Sequence, residues 1–442
     1  MNRRHGIPAI AGLLMCALFA APVYGAQKQQ TLSKNDQDMI TEMLRGAHDD
    51  VKKYYYDPKL QGLDWDARYR QYTAQVEKAR NLGEGFRIVA AFLGGLKDSH
   101  TYFIPPMRAN MYETGYRFAL VGDDCFITQI RPGTDAESKL HIGDQVVTFD
   151  GFNVNRDDFH DLRYYFTILA PQAAEQFNLR SPSGEERQVV VNSDVKPNKR
   201  LISDLTNSVD YYELVRRSEN EDRTTRSRTV ENGDVAIWKL RHFFDDSQEV
   251  ERAIGIAHKH KTLILDLRGN SGGSTETLKW IVGSFFDHEV KICDRTGRKD
   301  HKPLIAQNHG QKFTGKLIVL VDSGSASASE LLARVVQLEH RGTVIGDRTA
   351  GAVMEAIHYP ESQGVDTKIF YGFSVTEANL IMSDGKSLEK TGVVPDELLL
   401  PAGADLAAGR DPVLVRAAEL AGVKLDPVEA GKMFPFEWPP LP

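Results

Sequence analysis

A run of alternating serines in the segment GSASASE lies between an apolar stretch and a helical pattern. The stretch LIVLV and the amphipathic pattern ELLARVVQL predict a strand that turns directly into a helix. A serine at such a turn can expose its hydroxyl at the helix N-terminus, where the dipole and unpaired N–H groups favour a developing oxyanion. Turn formation and helix capping would account for the same residues. The candidate nucleophiles are Ser323, Ser325, Ser327 and Ser329.

A glycine-rich loop follows another predicted strand, in the segment LILDLRGNSGGS. Its glycines, Gly269, Gly272 and Gly273, let backbone N–H groups point into a cavity without obstruction by a Cβ atom. A phosphate-binding loop would end in Gly-Lys-Ser or Gly-Lys-Thr, and this loop does not. Since both strand-to-helix junctions should lie at the carboxyl edge of one sheet, we expect the loop and the serine turn to meet.

Together, DLRGNSGG and the later GSASASE resemble the carboxyl-terminal processing protease and tricorn protease core family of serine peptidases. The segment YYYDPKLQGLDWDARY and the closing GVVPDE fit this family in the same order. The resemblance implies that Ser327 is the nucleophile. It also implies an oxyanion hole made by the N–H of Ala328 and one N–H from Gly272 or Gly273.

The sequence departs from the commoner branch of this family at the general base. That branch has a lysine in GEPTFGKG or a close variant, whereas this chain reads GDRTAGAV and has Ala352 at the lysine position. A histidine is the usual alternative base near neutral pH. By resemblance to the tricorn core, His100 would be the base, Ser99 would support it and Glu389 would complete the network. A structural histidine and a surface glutamate paired with a lysine are the alternatives.

The segment CFITQIRPGTDAESKLHIGDQVVTFDGFNV resembles a PDZ domain. In such domains a loop before an edge strand captures the terminal carboxylate of a peptide, and the peptide then adds to the sheet as a further strand. The segment TGYRFAL lies where that loop is expected, although it could also be an ordinary strand start. The implied peptide-binding residues are Gly115, Tyr116, Arg117 and Phe118.

The order of patterns predicts a multidomain α+β chain whose core is an α/β unit with a mainly parallel sheet, because apolar runs alternate there with helical ones. The predicted segments are a signal peptide at 1–26, a helical N-terminal domain at 31–108, a PDZ-like β-rich domain at 112–195, a polar linker at 196–230, the α/β serine peptidase core at 231–402 and a C-terminal tail at 403–442.

The composition excludes some functions. The net charge is −7 and there is no basic block, so the electrostatic footprint of a nucleic-acid-binding protein is absent.

Arg3 and Arg4 precede an apolar run too short to span a bilayer, which predicts a secretory signal, export to the periplasm or the cell exterior, and no membrane span. Cys125 and Cys293 are expected as buried free thiols, with pairing as the alternative. No ligand spacing suggests a metal, and no cofactor is expected.

The sequence therefore predicts an exported serine endopeptidase that cleaves polypeptides and recognises them through their C-termini. One alternative is a catalytically inactive PDZ-type peptide-binding protein on a peptidase scaffold, which the missing lysine favours. Another is a carrier of small apolar ligands, because related folds outside the proteases bind such molecules. The oligomeric state is not indicated by the sequence.

Overall fold

The computed structural model describes residues 32–198, 215, 227–244, 246–308, 310–364 and 368–438. The predicted signal segment and most of the predicted linker lie outside these residues. Within them, no helix is long and apolar enough to span a bilayer, and no group of three or more His, Cys, Asp or Glu side chains could hold a metal ion. Cys125 and Cys293 are free and buried, and burial raises the pKa of both thiols.

The first unit is a set of helices whose apolar faces pack together. Ser33 begins the first helix by accepting a hydrogen bond from the Asp36 N–H at 3.1 Å. Ile40, Met43 and Leu44 are fully buried on one face of it, as their spacing predicts. The elements are α1 (Lys34–Tyr54), a 3₁₀ turn (Leu60–Gly62), α2 (Trp65–Val76), α3 (Leu82–Leu93), a second 3₁₀ turn (Gly94–Leu96) and the strand β1 (Tyr102–Ile104).

The second unit is β-rich and antiparallel. Its main sheet has the order β3-β4-β5-β7-β8, so β3 is an edge strand, and β2 pairs separately with β9. Its core is aromatic and includes the buried rings of Phe149 and Phe177. The elements are β2 (Asn110–Glu113), β3 (Tyr116–Val121), β4 (Asp124–Ile130), α4 (Asp135–Lys139), β5 (Gln145–Phe149), β6 (Phe152–Asn153), α5 (Phe159–Tyr164) with a π turn (Tyr165–Leu169), β7 (Ala174–Arg180), β8 (Glu186–Asn192) and β9 (Asp194–Pro197).

The third unit contains two further sheets with helices between them. Its elements are β10 (Arg228–Asn232), β11 (Val235–Lys239), α6 (Ser247–Ala257), β12 (Thr262–Asp266), α7 (Thr275–Gly283), β13 (Val290–Gly297), β14 (Leu304–Ala306), β15 (Lys316–Val321), α8 (Ala328–Leu338), β16 (Gly342–Gly346), β17 (Met354–Gln363), β18 (Ile369–Met382) and β19 (Glu397–Leu398). One sheet has the order β10-β11-β12-β15-β16-β19. Its four pairings from β11 to β19 are parallel, and β10 is antiparallel to β11. The glycine loop after β12 and the serine turn after β15 consequently leave the same edge.

The other sheet of this unit joins the helices to the core. It is antiparallel and contains β1, β18, β13 and β14, with β17 also paired to β18. Phe103 of β1 lies opposite Phe373 of β18, and both side chains are fully buried with their ring centroids 5.8 Å apart. The sequence predicts helices alone up to residue 108, whereas Tyr102–Ile104 form a strand, because these β-favouring residues meet the unpaired edge of β18.

The C-terminal segment packs on the parallel sheet. It forms α9 (Gly403–Ala407), α10 (Pro412–Leu420) and α11 (Pro427–Lys432), where the sequence predicts one helical stretch near 413–421. The buried face of α10, including Val413 and Leu414, contacts Ile318 and Leu320 of β15 in one apolar cluster. Helices α10 and α11 cover the sheet face opposite to α6, α7 and α8, whereas α9 has no buried residue and lies beside Gly143 of the β-rich unit.

Candidate active site

Ser327 occupies the turn between β15 and α8 in an unusual backbone conformation. Its φ is +53° and its ψ is −115°, a region that non-glycine residues rarely adopt. Its N–H faces the carbonyl of Ala352 and the Oε2 of Glu330, each at 3.0 Å. These contacts hold the turn in a conformation that the residue alone would not prefer.

The neighbouring serines are tied to surrounding carbonyl groups. The Ser325 hydroxyl donates to the Leu267 carbonyl at 2.9 Å, and the Ser329 hydroxyl donates to the Asn270 carbonyl at 2.9 Å. Both side chains are fully buried. The Ser323 hydroxyl donates at 2.7 Å to the Leu120 carbonyl at the end of β3. Three of the four serines therefore join the turn to its neighbours. Within the described residues the Ser327 hydroxyl donates no hydrogen bond, so its proton is available for a chemical role.

Gly272 lies directly against Ser327. Its φ is +100°, and a Cβ atom at this position would lie 2.8 Å from the Ser327 Cβ and 3.0 Å from the Ala328 nitrogen. The Gly272 N–H donates to the Asn270 Oδ1 at 2.9 Å and is therefore engaged. In the described part of the chain, the N–H groups of Ala328 and Gly273 have no such acceptor. Of the two glycines expected to supply an oxyanion donor, Gly273 is the one with an available N–H.

Asn270 fixes the glycine loop against the serine turn, and the sequence reasoning did not single it out. It is fully buried, and its side-chain amide donates to the Leu240 carbonyl at 3.0 Å. Its carbonyl accepts from the Ala326 N–H and the Ser329 hydroxyl, each at 2.9 Å. A polar residue between glycines in the segment RGNSGGS was the only signal for this role.

Ser99 joins His100 to Glu389 across the interface between the helical unit and the core. The Ser99 Oγ lies 2.7 Å from the His100 Nδ1 and 2.8 Å from the Glu389 Oε2, and the Ser99 N–H donates to the Glu389 Oε1 at 2.8 Å. If the single hydroxyl proton is given to the carboxylate, the His100 Nδ1 must be the donor to Ser99. The Nε2 then carries the lone pair that a general base requires.

The surroundings of Glu389 affect its charge. Burial raises the pKa of this carboxyl above its ordinary value, while hydrogen bonds from Val353 and Ser99 act in the opposite direction. The Val353 N–H donates to the Glu389 Oε2 at 2.9 Å. The carboxylate is thus held by three donors, which is the arrangement expected of a fixed hydrogen-bond acceptor.

Residues Ala352 and Val353 connect the two halves of the site. The Ala352 carbonyl accepts from the Ser327 N–H, and the next N–H, that of Val353, donates to Glu389. Ser327 and the His100 network are therefore linked through two consecutive residues. The position at which the commoner family branch has its lysine lies at this junction.

Glu330 is a further residue of the site that the sequence reasoning missed. Its side chain is fully buried and accepts hydrogen bonds from the Thr349 hydroxyl at 2.5 Å, the Gly351 N–H at 2.8 Å, and the Ala352 and Ser327 N–H groups at 3.0 Å. Burial raises its pKa to about 7, against the influence of these donors. A glutamate three residues after a helix N-cap serine is a capping-box pattern, and this was the available signal.

The carboxylate of Asp266 ends β12 but is engaged in ion pairs. It lies 3.0 Å from the Lys239 Nζ and 2.8 Å from an Arg268 guanidinium nitrogen, which also lies 2.7 Å from Asp411. Although burial favours the neutral acid, Arg268 and Lys239 hold the pKa of Asp266 well below its usual range. This network anchors the start of the glycine loop to the C-terminal helices.

The residues expected to bind peptides lie along the edge strand β3. The Gly115 N–H donates to the Glu113 Oε1 at 3.2 Å, and the buried Tyr116 hydroxyl donates to Glu175. The Phe118 ring faces α5, with its centroid 5.6 Å from that of Phe159. Because Ser323 bonds to Leu120, the far end of β3 contacts the serine turn.

Comparison with known proteins gives matches along most of the chain. Residues 234–399 match the profile of peptidase family S41, and residues 37–94 match that of the tricorn protease C1 domain. The carboxyl-terminal-processing protease of Picosynechococcus sp. is 22% identical over 88% of this chain and 89% of that protein. The chloroplastic C-terminal processing peptidase of Tetradesmus obliquus is 24% identical over 79% of this chain and 75% of that protein.

Other relatives are longer than this chain. The tail-specific protease of Haemophilus influenzae is 23% identical over 65% of this chain, and the match covers 42% of that protein. Among solved structures, mature CPAF superposes with a TM-score of 0.63 at 15% identity, covering 85% of this chain and 95% of the CPAF chain. At this identity the likeness concerns the fold.

Substitution of Gly272 by alanine should strongly reduce turnover, because the added methyl group would meet Ser327 and the Ala328 N–H. We expect a fall in kcat of about 100-fold or more, the usual cost of losing one oxyanion donor. Gly269→Ala is the matched control: its φ is +70°, but nothing lies within 4 Å of the added Cβ. Steady-state kinetics that show equal losses in both variants would contradict the assignment.

The raised pKa of Glu330 predicts a pH-dependent contribution to stability. Its ordinary pKa of 4.5 applies to the unfolded chain and a pKa of about 7 to the folded protein. The folded state therefore binds more protons between these values, and the contribution is fully present below pH 4.5 and lost as the pH rises through 7. The free energy of unfolding, relative to Glu330→Gln, should fall by about 3 kcal/mol across this window. A difference that stays constant from pH 4.5 to 7.5 would show that this pKa is not raised.

Proposed function

Because this chain is a serine-type peptidase with a core that matches peptidase family S41, we propose that it is an exported endopeptidase with a Ser327–His100–Glu389 site. Its substrates would be polypeptides selected by a PDZ-like unit at residues 112–195. The observation that supports the site most directly is the series of contacts from Glu389 through Ser99 to His100, joined to the Ser327 turn by Ala352 and Val353.

In this proposal, the Ser327 Oγ attacks the scissile carbonyl carbon while the His100 Nε2 takes the hydroxyl proton. The bond to the amine then breaks, and His100 returns the proton to the leaving nitrogen. A water molecule then gives a proton to His100 and attacks the carbonyl carbon of the acyl group. The bond to the Ser327 Oγ breaks, and His100 returns the proton to that oxygen. The carboxylate of Glu389 acts through the Ser99 hydroxyl, orienting the imidazole and stabilising its positive charge.

The oxyanion would be held by two backbone donors. Ala328 supplies the first free N–H of α8, where the helix dipole adds to the hydrogen bond. Gly273 supplies the second, since the N–H of Gly272 is bonded to Asn270. A side chain at position 272 would obstruct the Ala328 N–H, which explains the requirement for glycine there.

Substrate selection would occur at the open edge of β3. A peptide that added antiparallel to this strand would place its C-terminus at the Gly115 end and its upstream residues beside Leu120. The contact between Leu120 and Ser323 directs that upstream part toward the serine turn. At a rise of about 3.4 Å per residue, the length of β3 would separate the captured terminus from the site of cleavage by several residues.

Ser327→Ala should abolish labelling by a fluorophosphonate probe and hydrolysis of peptides, because the probe reports an activated serine. Ser325→Ala and Ser329→Ala should keep most of both, although each variant loses buried hydrogen bonds that are worth about 1 kcal/mol of stability apiece. Gel-based labelling and peptide assays on folded variants measure this. Absence of labelling in the wild-type protein would favour the inactive peptide-binding alternative, and equal loss in the three variants would refute Ser327 as the nucleophile.

His100→Ala should lower kcat by several orders of magnitude, because the Ser327 hydroxyl would lose its base. Wild-type hydrolysis should rise with pH through the range in which an imidazole becomes neutral, near 6.5 for free histidine. His288→Ala, which changes an exposed histidine on the core, is the control. A wild-type turnover in His100→Ala, measured over the same pH range, would mean that another group is the base.

Amidation of a peptide's C-terminus should weaken its binding if the loop at Gly115 captures a terminal carboxylate. The comparison uses the Ser327→Ala variant so that the peptide remains intact. Calorimetry should give a weaker affinity for the amide than for the acid, while acetylation of the N-terminus should have little effect. Identical affinities for acid and amide would refute terminal recognition.

A further inference from the structure

In the part of the chain that the structure describes, two arginines on or next to the edge strand β3 have no acidic partner. Arg117 belongs to β3 and Arg163 to α5, and both are half-buried. Within the described residues, neither guanidinium makes an ion pair or hydrogen bond. Removing a guanidinium from water without a partner costs free energy, so the binding of an anion to these two groups would be favourable.

Other half-buried arginines of the same unit do have carboxylate partners. Arg131 pairs with Glu113 at 3.0 Å, and Arg156 pairs with Asp347 at 2.6 Å. Arg187 pairs with the buried Asp144. Arg117 and Arg163 are therefore unlike their neighbours, and the unpaired charge is confined to the edge at which a peptide would add.

The helix that carries Arg163 packs against β3 at the residue next to Arg117. The Arg163 guanidinium lies 5.9 Å from the centroid of the Phe159 ring, and that ring packs against Phe118 of β3 at 5.6 Å. Burial lowers the pKa of Arg163, and the positive charge of Arg117 lowers it further. The two cations thus repel each other, and an anion between them would relieve that repulsion.

Arg117 is also oriented by an aromatic contact. Its guanidinium lies 5.8 Å from the centroid of the Trp438 ring, which also contacts Arg131 at 5.5 Å. Stacking on a ring uses the face of the guanidinium and leaves the N–H donors in its plane available for a carboxylate. Trp438 therefore restricts Arg117 without neutralising it.

We propose that Arg117 and Arg163 form an anion subsite that selects peptides with an acidic side chain near the C-terminus. The inference rests on the proposed peptide recognition at β3 and names the class of peptide preferred there. Arg117 lies two residues after Gly115. If the C-terminus of an extended, antiparallel peptide is held at Gly115, the residue about two positions before that terminus lies opposite Arg117.

The test uses the Ser327→Ala protein and two peptides that differ only in Glu or Gln two residues before a free C-terminus. Calorimetry at low ionic strength should give about tenfold tighter binding of the Glu peptide, as expected for a charge-assisted hydrogen bond, and a smaller ratio at high salt. Arg163→Gln and Arg117→Gln should each bring the ratio close to one, while Arg163→Lys should retain part of it. Arg252→Gln, an exposed change on α6, should leave the ratio intact.

Circular dichroism and thermal unfolding of each variant establish that the fold is retained. Equal affinity for the Glu and Gln peptides, with amidation still weakening both, would overturn the subsite and leave terminal recognition standing. A Glu preference that persists in both glutamine variants would also overturn it. If neither peptide binds at any salt concentration, peptide recognition at β3 fails and the subsite fails with it.

Discussion

The buried carboxylate of Glu330 is the constraint on which the arrangement of the site depends. It accepts hydrogen bonds from the serine turn and from the segment 349–352 at the same time. That segment leads directly to Val353, which holds Glu389 and, through Ser99, His100. A single side chain without exposure to solvent thus holds the Ser327 turn next to the segment that contacts Glu389. Burial raises the pKa of Glu330 because ionising a carboxyl group away from water costs free energy.

The strained conformation of Ser327 is maintained by groups on three sides. Glu330 and Ala352 accept hydrogen bonds from its N–H, and Gly272 of the glycine loop lies against its Cβ. The carbonyl of Asn270 in the same loop accepts from the Ala326 N–H of the serine turn. Strain of this kind persists only when the surroundings determine the conformation more strongly than the residue's own preference. The Arg268–Asp266 and Arg268–Asp411 ion pairs extend this support to the C-terminal helices. In the proposed mechanism, this support would keep the N–H groups of Ala328 and Gly273 in position before substrate binds, and donors that are already in position stabilise a developing charge best.

Local patterns in the sequence predicted the strand-to-helix turn, the glycine loop and the helices of the first unit, because these depend on short-range periodicity and on turn chemistry. The meeting of Ser99 with Glu389, separated by 290 positions, came from family resemblance and not from any local pattern. Glu330 and Asn270 were missed because their roles depend on partners brought together only by the folded chain. The hydrogen bond from the Gly272 N–H to Asn270, which favours Gly273 as the proposed oxyanion donor, was not predictable for the same reason. Nor was the strand at Tyr102–Ile104, whose partner is distant in sequence.

A crystal structure of the protein after reaction with a fluorophosphonate would test the central claim most directly. The account predicts phosphorus bonded to the Ser327 Oγ and a phosphonyl oxygen between the N–H groups of Ala328 and Gly273. It also predicts the His100 Nε2 within about 2.6 to 3.2 Å of the Ser327 Oγ. An adduct on another residue, or a His100 side chain on the opposite face of the sheet from Ser327, would contradict it.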